Sequence, residues 1–157
     1  MLRAPRRLIV VCLLLLVVPL SACGSGKTTK ETNTYVAEVN AIENEVASQF
    51  RLAGTVLTPT STRAADRQTL AAFSKAITTA ATKLRAVKAP SKVRALHEQL
   101  VQQVASYSAA IAAARKGLAA RTTAQVTAAQ TAYATATAQT SSAVTAATDA
   151  INRKLHE

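Results

Sequence analysis

Two cysteines, two histidines and eight carboxylates are the side chains of this 157-residue chain best suited to chemistry. His97 is followed by Glu98 and His156 by Glu157, and imidazole with carboxylate is a reasonable ligand set for zinc or copper. No Glu-x-x-His pair occurs, so the di-iron site of ferritin-like bundles lacks its ligands. The single methionine is Met1 and there is no Cys-x-x-Cys-His run, which removes the usual routes to haem. A serine–histidine–aspartate relay needs a third group beside a histidine. Asp149 lies about two turns from His156 on a helix, and Asp66 belongs to the far end of the fold expected below. Gly24 and Gly26 belong to a linker and form no phosphate loop. The two histidines therefore read as ordinary surface residues, with a metal site at His97 and His156 as the alternative, and no catalytic set is expected.

The cysteines point elsewhere. Arg3, Arg6 and Arg7 precede Leu8 to Leu20, a run that is apolar apart from Pro19. Thirteen residues are too few to span a ~30 Å hydrocarbon core as a helix, but they suit the apolar stretch of an export signal. The run ends in Leu20-Ser21-Ala22-Cys23. Small residues at 21 and 22 would also suit an ordinary secretory cut; the cysteine directly after them selects between the two. These four residues resemble the lipobox of bacterial prolipoproteins. That resemblance implies cleavage before Cys23 and a diacylglycerol on its thiol, with Cys23 as the new N-terminus. One acyl chain holds only reversibly at ~0.8 kcal/mol per buried methylene, whereas two give stable attachment. The expected location is the extracytoplasmic face of the cell membrane, with the acyl chains as the only non-protein group. Gly24 to Lys30 reads as a flexible tether.

Composition then excludes function classes. Cys12 leaves with the signal and Cys23 carries lipid, so thiol catalysis, thiolate metal sites and disulfides are excluded. Removing Arg3, Arg6 and Arg7 from nineteen basic residues leaves sixteen against eight acids. A basic chain raises nucleic acid as a partner, but export and a 3% aromatic content without tryptophan argue against it. Anionic lipid, an acidic envelope polymer or an envelope protein remain.

The elements that must carry these residues are helices. Apolar residues recur at intervals of three and four in four segments. These are Tyr35, Val39, Ile42, Val46, Phe50, Ala53, Leu57; Leu70, Phe73, Ile77, Ala80, Leu84, Val87; Val93, Leu96, Leu100, Val104, Tyr107, Ile111, Ala114, Leu118; and Val126, Ala129, Tyr133, Ala136, Ala143, Ala147, Ile151, Leu155. Thr28 with Glu31, Ser61 or Thr62, and Thr122 with Gln125 are candidate caps. Thr58-Pro59 and Ala89-Pro90 break the pattern, and Gly117 weakens the end of the third segment. Short links favour antiparallel neighbours. The expected fold is all-α, an up-down-up-down four-helix bundle over residues 34–157. It follows a signal at 1–22 and a lipidated cysteine with flexible tether at 23–33. The fourth helix, rich in alanine and threonine, is the weakest former.

Antiparallel packing sorts the charges. The tether end collects Lys27, Lys30, Lys83, Arg85, Lys88, Lys92, Arg94, Arg153 and Lys154 against five acids. The opposite end collects Arg51, Arg63, Arg67, Arg115, Lys116 and Arg121 against Asp66. Solvated helix ends collect charge in any bundle; a functional alternative sets Lys27, Lys30, Lys88 and Lys92 against an anionic surface. Tyr35, Tyr107 and Tyr133 fall on the stripes, expected in the core with hydroxyls at the rim. The mature part also loosely resembles small helical lipoproteins of high-GC Gram-positive bacteria, through its Ala/Thr/Arg/Val bias and Ala89-Pro90, Leu96-His97 and Leu100. That group has no assigned activity, so the resemblance implies fold and location and no site. The expected role is a lipid-anchored interaction or scaffolding module, with a binder of a small apolar ligand or metal ion as the alternative.

Overall fold

The computed structural model describes residues 27–56 and 61–157, with backbone alone at 27–29, 50 and 52–56. The signal segment, Leu20, Ser21, Ala22, Cys23 and Leu57 lie outside the described residues. Among the described residues four α-helices make up the fold: α1 Lys27–Val56, α2 Arg63–Ala86, α3 Arg94–Leu118 and α4 Thr123–His156. No strand occurs among the described residues. At 1.5 Å per residue the helices are roughly 36–51 Å long. None is long and apolar enough to cross a membrane.

The caps follow the sequence at two of three sites. The Thr62 hydroxyl accepts from the Ala65 amide at 3.2 Å, and Asp66 places a carboxylate in the first turn of α2, where the helix dipole favours it. Thr122 accepts from the Gln125 amide at 3.3 Å and donates to the Gln125 side chain at 3.0 Å. Thr28 does not cap. Helix α1 already runs at Lys27, so residues 27–33, expected in the tether, are helical. Lys27, Thr28 and Thr29 continue the turn that Lys30 and Glu31 need, and none of them breaks it. Pro90 sits one residue ahead of a 3-10 turn, Ser91–Val93, that leads into α3. Its ring ends the α2–α3 link where no amide is required.

Helices α1 and α2, α2 and α3, and α3 and α4 pack side by side. Helices α1 and α4 meet through side chains more than through close backbone approach. Antiparallel order is tied at both ends. Lys92, before α3, donates to the Leu155 carbonyl near the end of α4 at 2.9 Å. At the other end Arg63, opening α2, reaches the Ala120 carbonyl after α3 at 3.3 Å.

The interior divides into two apolar clusters. The one nearer the start of α1 holds Tyr35, Val39, Leu84, Val93, Leu100, Ile151 and Leu155, drawn from all four helices. The other holds Leu70, Phe73, Ile77, Tyr107, Ile111, Leu118 and Val126. Val46 and Val104 pack against both. Gly117 owes its place to packing: a Cβ there would overlap the Ala129 Cβ of α4.

Candidate functional site

His97 is the most constrained group of the first cluster. It closes the first turn of α3 and is buried at 5% exposure, as is Tyr35 of α1 at 1%. The expectation of a surface histidine is thus corrected. Positions 93, 96, 97, 100 and 101 form one wide apolar stripe on a helix, and His97 falls inside it. Its Nε2 lies 2.9 Å from the Leu84 carbonyl, and its Nδ1 lies 3.2 Å from the Tyr35 hydroxyl. A carbonyl only accepts, so Nε2 carries the proton and donates. With the proton on Nε2, Nδ1 is placed to accept from the Tyr35 O–H. The two rings meet edge to face with centroids 5.5 Å apart.

One imidazole therefore joins α1, α2 and α3. The Leu84 carbonyl also accepts from the Val87 amide at 3.1 Å, so the C-terminal turn of α2 is closed by backbone and side chain together. Burial, then the negative charge of Glu43, pushes the Tyr35 phenol up. The Tyr35 hydroxyl thus turns inward to a core partner and does not reach the rim. With both ring nitrogens engaged, His97 has no lone pair free for a metal ion unless these bonds break. His156 is exposed near the end of α4. No cluster of three or more metal-ligating side chains occurs among the described residues.

Beside His97 an open cleft of about 760 Å³ lies between the end of α2, the link and the first half of α3. Arg85, Lys88 and Arg94 line it together with Val87, Glu98 and Val101. Of the residues expected at an anionic surface, Lys88 reaches this cleft and Lys30 is exposed on α1. Lys92 is exposed and donates from its ammonium to the Leu155 carbonyl. Lys27 is described only as the first residue of α1. Arg85 and Arg94 stand out only once the turn brings them together, because in sequence they are two among many basic residues.

Two further polar sites were not legible as sites. In the second cluster the Tyr107 hydroxyl lies 3.0 Å from the Thr137 hydroxyl and donates to Tyr133 at 3.2 Å. Tyr107 and Thr137 are buried, and burial raises both phenols. Between α1 and α4 the Thr148 hydroxyl bonds the Glu43 carboxyl, whose other oxygen is buried without a partner. Burial pushes Glu43 up to about 7, with the Thr148 bond pulling back. A sequence signal existed here: Glu43 lies seven residues from Val36 and four from Val39, on the stripe of α1. Thr137 and Thr148 carry no such signal in a segment crowded with threonine.

The chain matches no family model, no curated protein and no solved structure.

Proposed function

We propose that this chain is a lipid-anchored, non-enzymatic module of the cell envelope, tethered through Cys23 and acting by surface contact with a partner. One observation supports this reading above the others: the buried imidazole and the tyrosine hydroxyls of the two clusters are held in hydrogen bonds, Glu43 being the exception with one oxygen buried and unpartnered. His97 is held by Tyr35 and Leu84, and Tyr107 by Tyr133 and Thr137. Such satisfied networks fix one packing and engage both nitrogens of the buried histidine. Their work is to shape a surface.

The anchor gives that surface an orientation. Only four residues precede Lys27 from Cys23 onward, at most ~14 Å of chain. The end of the bundle carrying the start of α1 and the α2–α3 link would then lie against the lipid, and the α1–α2 and α3–α4 links would face away. The runner-up, a binder of a small ligand, is favoured by the cleft beside His97, which falls within the ~300–1,000 Å³ of ligand sites.

In-cell crosslinking with mass spectrometry, wild type against Cys23→Ala, tests the proposal. A single dominant partner, lost with the anchor, is the expected result. A chain that crosslinks to nothing, with or without its anchor, contradicts it.

A further inference from the structure

The cleft joins three features that the fold alone does not require. Arg85 from the last turn of α2, Lys88 from the link and Arg94 from the start of α3 bring three exposed cations to one opening. Among the described residues the ion pairs are Lys83 with Glu45 and Lys154 with Glu157, so none of the three is neutralised by a pair. Glu98 is the one acid on the wall. Val87 and Val101 supply apolar wall beside the charges. His97 lines the same cleft while tied to Tyr35 and Leu84, so the walls on α2 and α3 are held at a fixed spacing.

This is the chemistry of an amphiphilic anion. Two guanidinium forks match the oxygens of a phosphate in bidentate fashion, and an ammonium adds a point charge. The apolar wall suits methylenes next to that head. We propose that this cleft is a binding site for the phosphate headgroup of an anionic membrane lipid. The inference rests on the lipid-anchored reading, which brings this end of the bundle to the membrane. A soluble phosphate ester would meet the same cations but would leave the apolar wall uncovered.

The test uses the full mature lipoprotein, reconstituted through its own anchor into vesicles. One set is neutral phosphatidylcholine and the other contains phosphatidylglycerol. Hydrogen exchange is followed over residues 85–105 in both. Slower exchange there only on the anionic vesicles is expected, weakening as salt is added. The triple variant Arg85→Gln, Lys88→Gln, Arg94→Gln should lose the effect, since each basic residue near an anionic surface strengthens binding about fivefold. These side chains are exposed, so the variant should keep the wild-type helical spectrum and melting temperature. A parallel arm adds glycerol phosphate without vesicles. Equal protection in that arm overturns the lipid source, and protection on anionic vesicles that survives the triple variant overturns the site. A chain that stays on neutral vesicles but shows no added protection on anionic ones also overturns the site. A chain that leaves neutral vesicles altogether overturns the anchored reading beneath it, and the two failures are therefore separable.

Discussion

The two halves of the bundle are held together in different ways. Near the start of α1, all four helices contribute to one cluster and a buried imidazole fixes three of them by directional bonds. In the other half the cluster is built from α2, α3 and α4, and among the described side chains α1 reaches it only through Val46. There the fit comes from close approach, with Gly117 against Ala129, and from a hydroxyl network around Tyr107. Directional bonds set a register, whereas small-residue contacts set a distance. The half that would face the membrane is thus the one in which a single side chain ties three helices together. That suits a surface that has to present three cations at fixed spacing.

The largest effect that would sharpen this contrast is expected at His97. His97→Ala leaves a cavity and strips the Tyr35 hydroxyl of its partner, a loss of about 3 kcal/mol in denaturant unfolding. A loss under ~1 kcal/mol would mean that the imidazole pins nothing. In the opposite half, Gly117→Ala should cost about 1–2 kcal/mol, because overpacking against Ala129 outweighs the ~1 kcal/mol gained in helix propensity. Adding Ala129→Gly should recover most of it. If Gly117→Ala instead stabilises the chain, close approach is not what holds that half.

Glu43 lies where the halves meet, and its effect depends on pH. Its carboxyl is raised from an ordinary 4.5 to about 7 by burial, so the native state holds this proton more tightly than the unfolded chain does. The associated stability is fully present below about pH 4.5 and is lost as pH rises through about 7. Glu43→Gln should remove that decline and leave the variant ~1–3 kcal/mol more stable at alkaline pH. Thermal melts of both proteins across this range read it directly, and parallel curves would contradict a buried, strained carboxylate. The smallest change is expected for Tyr107→Phe, about 1 kcal/mol, since the ring keeps its packing and only the hydroxyl bonds go.

Much of this architecture is written in the three-and-four spacing of apolar residues. Leu70, Phe73, Ile77 and Leu84, and Leu100, Tyr107, Ile111 and Leu118, are buried as their stripes require. Thr62 and Thr122 mark helix starts because their hydroxyls answer free amides. What the spacing does not show is polar. His97 and Glu43 sit on apolar stripes, but polarity alone suggests the surface, and only the partners on other helices make burial tolerable. Tyr35 finds its partner 62 residues away, a distance at which local pattern says nothing. The start of α1 is not legible either: glycine, serine, lysine and threonine at 24–30 read as linker by composition, yet the helix extends back to Lys27. Arg85, Lys88 and Arg94 become a group only through the turn at Pro90.

The proposed role depends on an anchor at Cys23, and the mass of the mature protein tests that anchor most directly. Intact-mass analysis of the chain from the membrane fraction should give a polypeptide beginning at Cys23 and carrying diacylglycerol. Cys23→Ala should abolish both the added mass and the membrane association. An unmodified chain, recovered in the soluble fraction with Cys23 present and its thiol free, would contradict the account.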